Sequence, residues 1–305
     1  MSRNKTAVSF YDLIDSWVGQ GIEDFTEGIY NGNPLTPYLE AQRNQHNFIL
    51  DELHLPQEGG RILEIGCGNG TLLEAAKERR ISGVGLTISP IQVKRCNKKG
   101  LVVLLQDYRD VTPFHVGSFH GVIANGSLEH FVTPQDAAEG KQDKIYVDLF
   151  DRVSSFLGRG QRFVTTAIHY NRIPDPLVVQ QNPLSLPWNS DNMHYAFVLG
   201  NLGCYYPKQG QLENCAKSKF KLVKEVDGTQ DYRITSEHWL SHLWPSCLAS
   251  VNFWKNLAEK GKRDPKHTLS SLFQYVFTQS WNWQFRPDKY GEAPTRLLRQ
   301  TWEKI

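Results

Sequence analysis

Residues 61–70 read RILEIGCGNG, a short apolar run that ends in closely spaced glycines. The residues that follow, Thr71–Lys77, have the pattern of a helix. Glycines at such a strand-to-helix turn let the backbone approach a ligand closely, and the first N–H groups of the helix face the crevice. The pattern therefore predicts a nucleotide-like ligand, although an ordinary glycine-rich turn is the alternative. The spacing is E-x-G-x-G-x-G rather than the dinucleotide G-x-G-x-x-G, and it is formed by Glu64, Gly66, Gly68 and Gly70.

Strand and helix patterns alternate through the centre of the chain. We predict helices over residues 72–79, 90–99 and 145–157, and strands over residues 62–65, 83–88, 102–105, 119–125 and 162–168. This alternation is typical of an α/β, doubly wound, Rossmann-like fold in which helices cover both faces of a parallel sheet. Ligands of such folds bind at the carboxyl ends of the strands. In this chain those ends lie beside Gly66, Thr87, Asp107 and Gly126.

The chain divides into regions of different pattern. Residues 1–55 form an N-terminal segment that we expect to be helical from residue 8 onward, with a second helix over 39–53 after a boundary at Pro34 and Pro37. Residues 56–169 form the ligand-binding core. Residues 170–305 form the remainder of the domain. They include a loop-rich insertion at 170–201 and a helical, aromatic-rich cap at 235–285. The aromatic residues of the cap fit either an ordinary core or the wall of a tunnel for an apolar chain.

The net charge does not indicate a nucleic-acid partner, because the 305 residues carry a formal net charge of only +2. Basic residues do cluster locally, within residues 94–99, 217–224 and 260–266. These clusters fit either a solvated surface or an anionic partner, such as phospholipid headgroups at a membrane or an acyl carrier protein.

The five cysteines have neither a C-x-x-C pair nor the spacing of a zinc site. No metal is therefore predicted, and the thiols are expected to be free and mostly buried. The sequence has no secretory-signal pattern and no apolar stretch long enough to span a bilayer. We expect a cytoplasmic protein, with peripheral membrane contact through the basic clusters. The sequence is also compatible with an oligomer.

Several motifs resemble those of known enzyme families. The glycine pattern of residues 61–70 resembles the first motif of class I methyltransferases, which bind S-adenosylmethionine. The G-L-T-x-S-x-x-Q string at 85–92 and the D-Y-R-D string at 107–110 resemble the cyclopropane fatty acid synthases, including the mycolic acid cyclopropane synthases. Further segments resemble motifs of the same family in the same order, and they are residues 125–131, 167–169 and 231–239.

This resemblance implies that the core of residues 56–169 binds S-adenosylmethionine. The implied cofactor-binding residues are Glu64, Gly66, Gly68, Gly70, Thr87, Ser89, Gln92, Asp107, Tyr108 and Asn125. Glu64 and the glycines after it would seat the methionine portion, and Asp107 would face the adenine amino group. Most folds of this kind hold the ribose with an acidic residue after the second strand. Here neutral side chains from Thr87 to Gln92 would hold it instead.

The resemblance also implies a catalytic site. In the family a bound bicarbonate is thought to act as the base, and the matching residues that would hold it are Glu129, His169 and Tyr232. An alkene that attacks the electrophilic methyl group becomes a carbocation, which aromatic faces stabilise. Loss of a proton then closes a cyclopropane, whereas a hydride shift leads to a methyl branch. Each residue alone also fits a structural explanation. Glu129 fits a local ion pair with His130, His169 fits a packed histidine, and Tyr232 fits a half-buried aromatic residue.

The chain departs from the family at residues 25–30, which read FTEGIY where Tyr-Ser-Cys-Ala-Tyr-Phe is typical. Ser127 is also smaller and more polar than the usual residue.

We predict one-carbon transfer to an unsaturated acyl chain or lipid. C- or N-methylation of a small-molecule acceptor, such as a natural product, is the alternative, because Glu27, Asn125 and Ser127 are compatible with a polar substrate. A catalytically silent binding protein is the alternative from another class, and no nucleic-acid partner is predicted.

Overall fold

A single mixed sheet organises the chain. The computed structural model describes residues 5–14, 22–57, 59–251 and 274–305, together with positions 254, 255, 258, 259, 262 and 265. Its strands are β1 (Arg61–Ile65), β2 (Ser82–Thr87), β3 (Val102–Leu105), β4 (Gly121–Asn125), β5 (Arg162–Tyr170), β6 (Phe220–Asp227) and β7 (Thr295–Lys304). They are ordered β3-β2-β1-β4-β5-β7-β6 in the sheet. The pairs from β3 to β5 are parallel, and β7 is antiparallel to both β5 and β6.

Helices flank this sheet. They are α1 (Lys5–Ile14), α2 (Tyr38–Glu52), α3 (Thr71–Glu78), α4 (Pro90–Lys98), α5 (Pro113–Val116), α6 (Pro134–Ala138), α7 (Gln142–Phe156), α8 (Asp191–Leu202), α9 (Gln211–Ala216), α10 (Thr229–Ala249) and α11 (Gln274–Trp283). Their ends follow local chemistry. The Ser89 side chain caps α4, whose first residue is Pro90. Ser190 caps α8, which ends at Gly203 in the left-handed conformation.

The two faces of the sheet have separate apolar packing. On one face, Ile49 and Leu50 of α2 cluster with Val164 of β5. On the other face, Phe150 of α7 packs against Trp302 of β7, with ring centroids 5.2 Å apart. Side chains alternate between these faces along each strand, and this alternation decides which residues can share a site.

The predicted doubly wound, Rossmann-like fold is confirmed, but the expectation of a purely parallel sheet is wrong at one edge. β6 and β7 were not predicted, and β7 runs antiparallel to its neighbours. The β7 sequence is buried almost throughout, and only Arg296, Glu303 and Lys304 are partly open. It therefore lacks the alternation of polar and apolar residues that identifies a strand exposed on one face.

Two further expectations need correction. The insertion at 170–201 was expected to be loop-rich, yet its last part enters α8. Residues 193–199 of α8 are all buried, so the helix has no polar face that a sequence pattern could reveal. In the N-terminal segment α2 confirms the second predicted helix, but residues 22–37 before it, which were expected to be largely helical, form turns and irregular structure. Much of the predicted aromatic cap, including Phe253 and Phe273, lies outside the described residues.

Two further predictions concern membrane-spanning helices and the cysteine thiols. Within the described part of the chain, no helix combines the length and apolarity needed to cross a membrane. The described thiols are free and buried, as predicted, and they belong to Cys67, Cys96, Cys204 and Cys215.

Candidate active site

A cavity opens at the carboxyl ends of β1, β2 and β4, where the crossover topology of the sheet predicts a ligand. Its empty space, including the part open to solvent, is about 1110 Å³. The predicted cofactor residues that line it are Glu64, Gly66, Gly68, Thr87, Ser89, Gln92, Asp107, Tyr108 and Asn125. Gly70 is not among the lining residues. Residues that the sequence did not indicate also line it, and they include Ala7, Val8, Tyr11, Asp24 and Phe25.

The glycines after β1 have different structural roles. Gly66 has a φ of +78°, and a Cβ atom there would lie 2.5 Å from Cβ of Ser127. Gly68 has a φ of +52° with nothing within 4 Å of its Cβ position, so its backbone is open to a ligand. Gly70 is the N-cap of α3, and a side chain there would meet Leu101 and Cys96. Gly66 and Gly68 therefore shape the cavity, and Gly70 permits packing behind it.

Two acidic residues lie at the cavity wall. Glu64 is only 3% exposed, and its Oε2 atom has no hydrogen-bond partner among the described residues. Burial, together with the charge of Asp24, raises the pKa of Glu64 well above its ordinary value. Burial also acts to raise the pKa of Asp24, but hydrogen bonds from His46 and Thr71 and the charge of His46 leave it below its ordinary value. An unpaired buried carboxyl beside an ionised one favours a ligand with a positive charge.

The polar side chains after β2 bind one another. The Thr87 hydroxyl donates to Oε1 of Gln92 at 2.5 Å and accepts from the Ser89 backbone N–H at 3.2 Å. The Ser89 side chain accepts from the Gln92 backbone N–H at 3.4 Å, which caps α4. These contacts hold a neutral polar rim at the strand end. A ligand with hydroxyl groups can exchange hydrogen bonds with it.

A second rim follows β3. Asp107 accepts hydrogen bonds from the Arg109 backbone N–H at 3.0 Å and from its Nε at 2.8 Å, so its carboxylate is already engaged. Tyr108 is buried and packs on Phe131, with ring centroids 4.4 Å apart. All four residues line the cavity. The sequence indicated Asp107 and Tyr108 but not Arg109 or Phe131, whose proximity depends on the fold.

Asn125 ends β4 in a buried network. Its Oδ1 accepts hydrogen bonds from Gln45 Nε2 at 2.8 Å and from the Thr166 hydroxyl at 2.7 Å. The Thr166 hydroxyl also accepts from the Gly126 backbone N–H at 2.9 Å. This network joins α2 to β4 and β5 and fixes the turn that carries the residues after Asn125.

Glu129 lies in that turn, behind the cavity wall. It is 3% exposed, and among the described residues its Oε2 atom has no hydrogen-bond partner. Burial raises its pKa to about 8, and the charge of Glu27 contributes, while backbone N–H groups act in the opposite direction. Its neighbours Ser127 and His130 line the cavity, but Glu129 itself is not a lining residue. His130 accepts or donates a hydrogen bond of 2.8 Å with Tyr11.

Tyr232, on α10, is close enough to Glu129 for the two to interact electrostatically. Burial raises the pKa of Tyr232 well above its ordinary value, and the charges of Glu129 and Glu27 add to this effect. Its hydroxyl donates to the Phe25 carbonyl at 3.2 Å, and its ring stacks on Phe285 with centroids 4.4 Å apart. The structure therefore brings two of the three predicted catalytic residues into one region.

His169 follows Ile168, whose backbone N–H donates to Glu129, but the His169 side chain lies on the other face of β5. Along β5 the His169 side chain shares a face with Thr165. This face is on the α7 side of the sheet, because the Thr165 hydroxyl accepts a hydrogen bond from Trp302 Nε1 at 3.0 Å and Trp302 packs on Phe150 of α7. Thr166, which bonds to Asn125, points to the opposite face. His169 is 1% exposed, its Nδ1 contacts the Ala167 carbonyl at 3.1 Å, and burial lowers its pKa to about 4. The predicted grouping of Glu129, His169 and Tyr232 is not assembled, because strand alternation directs His169 away from it.

A buried ion pair near Glu129 was not predicted. Arg299 Nε donates to Oε1 of Glu27 at 3.0 Å, and the two side chains are 2% and 1% exposed. The Arg299 guanidinium also donates to Asp231 at 2.9 Å. The sequence analysis noted Glu27 only as compatible with a polar acceptor. Nothing in the sequence could indicate Arg299, because it comes from the antiparallel strand that the analysis missed.

The fold belongs to the class I methyltransferase type. The chain matches the structure of a cyclopropane synthase from Mycobacterium tuberculosis with a TM-score of 0.73, at 18% identity over 99% of both chains. It matches a mycolic acid cyclopropane synthase in complex with SAH and CTAB with a TM-score of 0.73, at 17% identity and 99% coverage of both chains.

The family of the chain is established by sequence. Residues 29–252 match the mycolic acid cyclopropane synthetase family, and the chain belongs to this family. A cyclopropane-fatty-acyl-phospholipid synthase from Escherichia coli (strain K12) is 38% identical over 95 residues, which are 30% of this chain and 24% of that protein. The chain thus spans about a quarter of the length of that curated relative.

Proposed function

We propose that the protein is an S-adenosylmethionine-dependent methyltransferase of the cyclopropane synthase type, which transfers a one-carbon unit to an unsaturated acyl chain. The observation that carries this proposal is the unpartnered, buried Glu64 carboxyl beside Asp24, next to the open backbone at Gly68. This combination suits a ligand that is cationic at one end. Family membership and the printed names of the relatives support the choice of reaction and of acceptor.

The described residues fit S-adenosylmethionine. Glu64 and Asp24 would hold its positively charged methionine portion, the side chains from Thr87 to Gln92 would bind the ribose hydroxyls, and the wall at Tyr108 would cover the adenine. When bound, S-adenosylmethionine supplies a methyl group on a sulfonium, which is an electrophile.

The chain must then align a weak nucleophile and exclude water. An alkene reacts only when it is held in line with the methyl group, so positioning supplies much of the rate. Tyr11, Phe25 and Phe131 give the cavity aromatic walls. Behind Phe25, Tyr232 packs at about right angles to Trp239 and stacks on Phe285. Aromatic faces and nearby buried carboxyls stabilise positive charge that develops on the acceptor.

We further propose contact with an anionic membrane or an acyl carrier along α4. Lys94 and Lys98 are exposed there, beside the exposed apolar side chains of Val102 and Leu105. This combination suits headgroup phosphates with apolar surface beneath them. In the 217–224 cluster, by contrast, Lys221 and two other lysines are within ion-pair distance of acidic residues, which reduces the charge available to a partner.

A small polar acceptor is the second candidate. It is favoured by the buried negative charge of Glu27 and by Ser127, whose hydroxyl donates to the Ile65 carbonyl at 2.6 Å and lines the cavity. An amine or another cationic group would be attracted to such a site.

The test has two stages. Isothermal titration calorimetry first measures the binding of S-adenosylmethionine. Turnover is then followed with radiolabelled cofactor on phospholipid vesicles with cis-unsaturated acyl chains, with saturated vesicles as the matched control. Incorporation into the unsaturated lipid alone is the expected result. Cofactor binding without incorporation into either lipid would contradict the acyl proposal and favour the small acceptor.

A further inference from the structure

The 25–30 segment, where the chain departs from its family, carries a buried acid. Glu27 is held by Arg299 from β7 at 3.0 Å, and Gln45 from α2 also hydrogen-bonds to its carboxylate. Around it, Gly28 N–H donates to the Thr235 hydroxyl at 2.9 Å and Tyr30 N–H donates to Asp231 at 3.0 Å. α2, α10 and β7 therefore fix the position of this carboxylate.

The resemblance to the family implied a bicarbonate held by Glu129, His169 and Tyr232, and the structure does not fit that group. Arg299 pairs with Thr166 in the β5–β7 register, so it lies on the face of the sheet opposite to His169. The His169 ring, which would have been one of the ligands, therefore cannot face Glu129.

Charge also opposes a bound anion. The buried cation beside Glu27 is Arg299, and its guanidinium already donates to Glu27, Asp231 and the Gly28 carbonyl. A bicarbonate beside Glu129 would add a further negative charge to a site whose carboxyl groups are almost fully buried. Such a charge is stable only with its own cation or several donors.

We infer that this protein works without bicarbonate, and that Glu27, fixed by Arg299, is the built-in carboxylate that takes the place of that anion beside Glu129 and Tyr232. The catalytic part of this inference rests on the proposed function. The binding part does not, because it concerns only which anions the folded protein accepts.

The pair of acids can hold the proton that ring closure releases. A C–H bond of the transferred methyl group breaks, and its electron pair forms the second C–C bond of the ring, between that carbon and the cationic carbon. The proton passes to a carboxylate oxygen of the Glu27–Glu129 pair, which becomes a carboxylic acid and later returns the proton to water. Arg299 is a positioning residue in this scheme, because it acts only through Glu27.

The test compares the wild-type protein with Glu27→Ala in buffer depleted of carbon dioxide. Removing the carboxylate leaves Arg299 with an empty space beside it, which a small carboxylate can fill. Bicarbonate and formate are added at constant pH and ionic strength, and the midpoint of thermal unfolding is recorded. The expected result is no shift for the wild type and a saturable upward shift for Glu27→Ala, because a ligand that binds only the folded state stabilises it.

Glu27→Gln is the matched control, since it removes the charge but keeps the volume, and it should show no saturable shift. Saturable binding of bicarbonate to the wild type would overturn the inference. If Glu27→Ala does not fold, the wild-type titration still decides the matter. Methyl transfer is measured in the same buffers. A wild-type rate that falls when carbon dioxide is depleted and recovers when bicarbonate is added would also overturn the inference. Failure of turnover with every acceptor would refute the proposed function and leave the binding result intact.

Discussion

Replacement of Glu129 by glutamine should change how the stability of the protein depends on pH. Burial, with the charge of Glu27 adding to it, raises the pKa of Glu129 from 4.5 to about 8. At about 1.4 kcal/mol per pKa unit, this difference corresponds to about 5 kcal/mol. That is a large part of the stability of an ordinary domain.

The sign follows from proton binding. Between pH 4.5 and about 8 the folded protein keeps a proton on Glu129 that the unfolded chain has released. The free energy of unfolding of the wild type therefore falls as the pH rises through this window. Below the window Glu129 is protonated in both states, so it no longer makes the stability depend on pH. Glu129→Gln has no such proton, so the fall should be absent. A constant offset between the proteins is expected as well, because the amide differs in its hydrogen bonding.

Burial also raises the pKa of Glu27, which is present in both proteins, and the remaining groups near Glu129 do not obscure this effect. Burial raises the pKa of the surrounding thiol and phenol groups, so these groups stay neutral over this pH range. They are the side chains of Cys204, Tyr11, Tyr146, Tyr206 and Tyr232. Burial lowers the pKa of His130 to about 4, and this residue is present in both proteins.

The assay is urea unfolding followed by tryptophan fluorescence at a pH near 5 and a pH near 8, at constant ionic strength. The stability of Glu129→Gln relative to the wild type should rise by about 3–4 kcal/mol between these conditions, because they span most of the window between the two pKa values. Glu40→Gln is the control, because Glu40 is exposed on α2. An equal difference between Glu129→Gln and the wild type at both pH values would refute the reasoning, since Glu129 would then titrate as a hydrated acid.

Three other substitutions test the cavity and the ion pair. Gly66→Ala should abolish S-adenosylmethionine binding in calorimetry, because its Cβ would lie 2.5 Å from that of Ser127. Glu64→Gln should weaken binding of the same cofactor about tenfold or more, since a hydrogen bond to a charged group is worth about 1.5–3 kcal/mol. Arg299→Leu should lower the free energy of unfolding, measured with urea, by about 3–5 kcal/mol, because it leaves the Glu27 carboxyl buried without its cation.

Each of these has a matched control. Gly140→Ala also forces a positive φ, but nothing lies within 4 Å of its Cβ position, so cofactor binding should persist. Glu74→Gln alters an acid that pairs with Lys99 at the surface and should leave affinity unchanged. Arg296→Leu breaks a partly exposed pair with Asp227 and should cost less than about 1 kcal/mol. Equal effects of variant and control would count against the corresponding explanation.

The central part of the fold could be predicted because its signals are local. The RILEI run ends at glycines with positive φ, and β1 to β4 alternate with helices that have caps or an apolar face. The cofactor wall follows from the same signals, since crossover topology brings the ends of β1, β2 and β4 together. Only Gly70 among the predicted wall residues lies behind the cavity.

The remaining features depend on long-range contacts. β7 and α8 are buried on nearly all sides, so neither has the periodic polar face that marks an element in a sequence. His169 matched a motif by its position at a strand end, but its face is set by the register with β7. The Glu27–Arg299 pair joins residues 272 positions apart, and only the folded sheet brings them together.

The most direct test of the proposed reaction uses cells that lack any synthase of this kind and are fed methionine with a deuterated methyl group. Total fatty acids are compared by mass spectrometry between cells that express the wild type, Gly66→Ala or no added protein. The account predicts a labelled acyl species, one CH₂ unit heavier than an unsaturated one, with the wild type alone. A ring would retain two of the three deuterium atoms of the methyl group. An unlabelled, unchanged acyl profile from wild-type protein that is folded and binds S-adenosylmethionine would contradict it.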